Sequence, residues 1–159
     1  MDDPVPVRRA LIGFALIVAF VVLVMLLVRP AIYTLAPPRD DAAVPVGTLT
    51  EVTGGHRRVE VILSRSYGWD GERDAGDGRV QLGVIVGPTT TGIAAVAGAS
   101  PVARDCGVMI GADRLTDCDG RAWTFGGLPI DPDDPPLQRF PISADGATVL
   151  VDFTRTTEE

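Results

Sequence analysis

The chain has 159 residues, with 14 arginines, 21 acidic residues, one histidine and two cysteines, and a net charge of −7. That balance excludes nucleic acid and anionic lipid headgroups as partners of a basic face, and a single histidine excludes multi-histidine metal sites. The length suffices for one membrane anchor and one small domain.

Residues 10–28 form an unbroken apolar run, ALIGFALIVAFVVLVMLLV. As a helix rising ~1.5 Å per residue it reaches about 28 Å, close to the hydrocarbon thickness of a bilayer. A buried core helix would keep a polar stripe, and this run has none. It also exceeds the apolar core of a signal peptide, and its nearest small-residue cleavage site, Thr34-Leu35-Ala36, is followed by the obstructing Pro37-Pro38. The run therefore reads as a retained transmembrane helix over 10–29, after a cytoplasmic segment 1–9. Within it Gly13, Ala15 and Ala19 offer a small-residue face on which another helix can pack. Arg8 and Arg9 precede the span while Arg29 and Arg39 follow it, so flanking charge barely orients it. The cysteines decide: Cys106 and Cys118 lie 12 residues apart in the C-terminal part, as expected of a disulfide in an oxidising compartment. The N-terminus is placed in the cytoplasm and the rest outside the cell membrane.

Four prolines (Pro30, Pro37, Pro38, Pro45) mark 30–45 as an extended linker. Beyond it helical periodicity disappears, and short strands between turns are expected over 46–155, before a tail at 156–159. In 58–64, Val59, Val61 and Leu63 alternate with Arg58, Glu60 and Ile62, the pattern of a half-buried strand. Further candidates are 79–86 and 92–99. Near the end, 138–143 and 147–153 flank Ala144-Asp145-Gly146, and Asp-Gly between strand-like runs is a hairpin signal. The fold class that follows is a single N-terminal transmembrane helix and a small, mostly-β, antiparallel sandwich or barrel.

Few residues carry candidate chemistry. His56 stands in Gly54-Gly55-His56-Arg57-Arg58, which reads as an exposed turn. Asp70, Glu72 and Asp74 have the spacing of a calcium loop, but the template's sixth and twelfth places hold Ala75 and Gln81 instead of Gly and Glu. A flexible acidic loop is expected at 70–77 and a solvated turn at 131–136. Ser64, Ser66, Ser100 and Ser143 lack a histidine partner, so no enzyme is expected.

From Cys118 onward, Cys-Asp-Gly-Arg-Ala-Trp-Thr-Phe leads into Gly126-Gly127-Leu128-Pro129, a Pro-rich stretch to Pro136, and a closing pair of strands. This order resembles the cluster-binding part of Rieske iron–sulfur proteins, whose second cluster loop runs Cys-Pro-Cys-His-Gly-Ser-x-Phe before a Gly turn, a Pro-rich connection and closing strands. The resemblance covers about the last 60 residues and implies an antiparallel β-domain. A Rieske centre needs two cysteines and two histidines. Here Gly120 takes the place of that loop's second cysteine and Arg121 that of its histidine. In the first loop Cys106 matches either cysteine, leaving Val108 or Ala103 at the histidine place.

The resemblance thus implies a degenerate cluster loop with no cofactor and no metal, in which Cys106 and Cys118 remain as a disulfide between neighbouring loops. It further implies a non-catalytic accessory subunit resembling those of the actinobacterial respiratory supercomplex that joins a cytochrome bc-type complex to a terminal oxidase. The expected partners are integral membrane subunits of that assembly and membrane lipid. Two other readings stand beside it: a free-standing anchored binding module, and a thiol–disulfide redox site, which the neighbouring Asp105, Asp117 and Asp119 disfavour.

Overall fold

The computed structural model describes Val18, residues 40–103 and residues 105–157. The expected span at 10–29 with Gly13, Ala15 and Ala19, and the linker as far as residue 39, lie outside the described residues apart from Val18. Among the described residues no helix is long and apolar enough to cross a membrane. The chain divides into two units, 1–38 and 39–159, and the second holds a small, mostly-β domain.

Its centre follows from the run Leu82-Gly83-Val84-Ile85-Val86, which is buried throughout. Such a run in a strand means that both faces of the sheet are covered. The strand is β4 (Arg79–Thr89), flanked by β2 (Arg57–Leu63) and β5 (Gly92–Ala97), with β9 (Arg139–Phe140) beyond β5. Val84 and Val86 of β4, with Ala95 and Ala97 of β5, face one core; Ile85 and Val96 face a second. The first core is closed by a three-stranded sheet in which β1 (Val44–Thr48) and β10 (Ile142–Asp145) flank β11 (Thr148–Val151). Phe140, Phe153 and Trp69 fill its end, with ring centroids 4.9 and 5.8 Å apart in edge-on contacts. The second core lies under a small sheet of β6 (Met109–Ile110), β7 (Leu115–Thr116) and β8 (Ala122–Trp123).

The expected strands at 58–64, 79–86 and 92–99 are present, and β10 and β11 form the hairpin, Asp145 pairing with Thr148 across Gly146-Ala147. Four expectations change. The domain takes in the end of the expected linker, since Val44 and Pro45 already pair with Val151 and Leu150. Asp41, 4% exposed, holds that entry: its carboxylate accepts bonds from Ser64 N at 2.9 Å and from the Tyr67 hydroxyl at 3.1 Å. Proline is tolerated there because β1 is an edge strand. The acidic loop at 70–77 is partly strand: β3 (Arg73–Gly76) pairs with β4 through an Asp77-Gly78 turn in which both residues have positive φ. A short helix, α1 (Leu49–Thr53), follows β1, capped reciprocally by Thr48 and Glu51. The tail is tied down as far as Thr157, whose amide donates to Arg139 O at 2.8 Å.

Candidate functional site

Two-residue strands cannot specify a shape alone, so the region around β6–β8, called the tip below, depends on its loops. The first loop leaves β5 and returns through the bridge Ala99–Gly107, with Ser100 N donating to Cys106 O at 2.9 Å and Val108 N to Gly98 O at 2.8 Å. The second loop, 117–121, turns around Asp117, whose Oδ1 accepts the amides of Asp119 at 3.0 Å and Arg121 at 2.9 Å. The third carries the Pro-rich stretch around Trp123, whose indole donates to Pro135 O at 2.9 Å.

Cys106 and Cys118 join the first two loops in a disulfide, with an S–S distance of 2.03 Å and Cα atoms 5.8 Å apart. Cys106 is buried and Cys118 exposed. The two loops are thus neighbours, as the resemblance implied.

Val108, Gly120 and Arg121, which the resemblance matched to cluster ligands, have other surroundings here. Val108, 2% exposed, belongs to the second core with Leu115 and Trp123. Gly120 has φ 86°, left-handed backbone in which a cysteine would be strained. Arg121 is the hub of an ion-pair cluster: Nη1 donates to Asp119 Oδ2 at 2.9 Å and lies 3.6 Å from Asp117 Oδ2, while Nε lies 3.3 Å from Asp134 Oδ1. Burial pushes the Asp117 carboxyl up. Hydrogen bonds from the Ser100 hydroxyl and the Arg121 and Asp119 amides, with the Arg121 charge, outweigh that and hold it below the ordinary carboxylate range. Arg121 is in turn held more firmly charged, first by its hydrogen bond with Asp119.

These residues do not fit a Rieske cluster. Both thiols are consumed in one bond, a second thiolate at position 120 would meet unfavourable backbone, and the histidine places offer an aliphatic side chain and a permanent cation. His56 supplies no ligand to the tip loops either. It is half-buried instead of standing on an exposed turn. Its ring stacks on Phe125 at 3.6 Å between centroids, and Nε2 bonds Pro88 O at 2.7 Å.

That contact exposes a feature unread in the sequence. His56, just before β2, and Arg58, on it, project over β4, which carries glycine where they pass. A Cβ on Gly87 would come within 2.4 Å of the His56 ring, and one on Gly83 within 2.6 Å of the Arg58 guanidinium. Arg58 crosses this bare lane, also flanked by Gly98 and Gly107, to donate to Val108 O at 3.3 Å. The two side chains are struts from the central sheet to the tip. The glycines of Leu82-Gly83-Val84 and Gly98-Ala99 were the available signal.

The calcium-like residues do not converge. Glu72 accepts from Tyr67 N at 2.9 Å and Gly68 N at 3.2 Å, and Asp74 from Gly76 N at 2.8 Å. In the turn at 131–136, Asp134 is partly covered by its Arg121 pairing.

No family description matches the sequence, and no curated protein matches it. Among solved structures, one chain in the complex of reduced oxygenase and oxidized ferredoxin in carbazole 1,9a-dioxygenase is similar, with a TM-score of 0.48 and 16% identity. The match covers 75% of this chain and 99% of that one.

Proposed function

We propose that this protein is a non-catalytic accessory subunit of a membrane respiratory assembly, anchored by the apolar segment 10–29. Its domain is a Rieske-type frame in which a disulfide and an arginine-centred ion-pair cluster take the place of the iron site. One observation carries the reading: the side chains at the ligand positions are already engaged, Cys106 and Cys118 with each other, Arg121 with three carboxylates and Val108 with the core, while Gly120 holds left-handed backbone. A frame kept without redox chemistry serves through its surface. The commitment of His56 to Phe125 and Pro88 O supports a role without catalysis. The disulfide suits a domain on the oxidising side of the cell membrane.

The test is purification of the tagged, full-length protein from native membranes in mild detergent, followed by mass spectrometry and a visible spectrum. Haem bands with cytochrome bc-type and oxidase subunits at fixed ratio are expected. A colourless protein eluting alone overturns the reading and leaves an anchored binding module.

A further inference from the structure

Across an antiparallel ladder, directly paired residues share a face. Leu115 and Trp123 pair with each other and are fully buried, so their row faces inward, with Ile110 at its outer edge left 40% exposed. The next row, Met109–Thr116–Ala122, must face outward. It continues to Ile130, whose amide bonds Ala122 O at 2.8 Å, and two residues along, on the same side, Leu128 O accepts from Thr124 N at 2.8 Å. Met109 is 58% exposed, Ile130 52% and Leu128 45%.

The placement is concentrated. Among the described residues of the β-domain, seven large apolar side chains are exposed; Met109, Leu128 and Ile130 share this face, Val102 lies on the first loop, Ile110 pairs into the Leu115–Trp123 row, and Leu49 and Ile62 stand elsewhere. Contiguous apolar surface on a small domain marks an interaction site, whereas scattered residues do not.

Charge selects the occupant. Residues 109–134 contain six aspartates against two arginines and no lysine, a balance of −4. Both arginines are already paired, Arg114 with Asp113 at 2.7 Å and Arg121 with its cluster. An apolar face rimmed in this way is repelled by an anionic bilayer and by a second copy of itself. It complements a protein surface with an apolar centre and a lysine- or arginine-bearing rim.

We infer that the outer face of β6–β8 is the docking face for such a basic-rimmed protein partner, with Met109, Leu128 and Ile130 as its apolar anchors. This rests on the reading of the domain as a binding unit and names the surface used.

The test places a photoreactive amino acid at Met109, at Ile130 or, as control, at Ile62 on β2 in the full-length protein in its native host. Crosslinked peptides are then sequenced. Adducts from 109 and 130, but not 62, should fall on one partner polypeptide, at apolar residues bordered by Lys or Arg. Raising the salt concentration before irradiation should lower their yield several-fold, and Ile130→Asp should remove the adduct from 109 while leaving the disulfide intact by mass. Adducts with lipid, with another copy of this chain, or with many unrelated proteins overturn the inference, as does crosslinking from 62 alone or no crosslinking at all. A respiratory assembly that co-purifies without crosslinks from 109 and 130 sinks the docking face alone. A basic partner outside the respiratory chain sinks the functional reading and leaves the face standing.

Discussion

In the sandwich of the two larger sheets, β4 runs eleven residues and thirteen buried side chains form one core, whereas the tip stands on two-residue strands around six. Burial scales with area, at roughly 25 cal/mol per Å², so the first region holds its shape by packing. The second makes up the difference with point fastenings: the disulfide, the Arg121 cluster, and the struts His56 and Arg58. Packing tolerates small adjustments, while a fastening holds or fails. The tip should therefore open as a unit, independently of the sandwich.

The sharpest way to break this contrast is to cut one core at a time. Trp123→Ala should cost about 3–5 kcal/mol and Leu82→Ala about 2–5 kcal/mol. Native-state hydrogen exchange separates them: Trp123→Ala should deprotect amides of β6–β8 and leave β2, β4 and β5 slow, while Leu82→Ala speeds both. Uniform deprotection by Trp123→Ala would show that the two regions are one cooperative unit.

Removing the disulfide in a Cys106→Ala/Cys118→Ala variant should cost about 3 kcal/mol, the chain-entropy value for a loop of this size. Limited proteolysis should then cut first in 98–121. Unchanged cleavage would mean that the remaining fastenings suffice.

Arg58→Met should cost about 1 kcal/mol, because the guanidinium is partly exposed and its bond to Val108 O is partly screened. The variant should lower thermal stability slightly and raise the mobility of residues 106–108 in NMR relaxation. A loss as large as that from Trp123→Ala would make Arg58 part of the core rather than a strut.

The smallest effect concerns acid. The Asp117 carboxyl lies below its ordinary value of 3.8, so its stabilisation is fully present above that pH and is lost as pH falls through the lower, folded value. Asp152 on the sandwich shifts in the same direction, so Asp117→Asn is the discriminating variant. Its tip should be less stable at neutral pH and show a shallower loss on acidification; an acid profile like that of the unchanged protein would assign the transition elsewhere.

Legibility in the sequence divides along the same line. The alternation in β2, the apolar run of β4 and the Asp145-Gly146 hairpin are local patterns, and local patterns can be read. Thr48-x-x-Glu51 and Asp77-Gly78 are local patterns too, matching a capping box and a hairpin turn, although the expectation for 46–155 is strands and turns alone and that for 70–77 a flexible loop. The tip is different. Arg58 meets Val108 across 50 positions and His56 meets Phe125 across a longer interval, and no periodicity encodes such distances. The pairing of the cysteines was legible because there are only two.

One fastening lies away from the tip. Asp41 sits where the chain enters the domain, its carboxylate bound to Ser64 and Tyr67 and its carbonyl accepting from Phe153 N at 2.8 Å. Beyond it β1 pairs along only one edge, beginning with Val44 opposite Val151. Tension applied through the N-terminal segment would otherwise peel β1 away one pair at a time, the geometry in which a ladder resists force least. Asp41 meets the load first and passes it to Ser64, Tyr67 and Phe153, so its bonds must break before β1 can unzip.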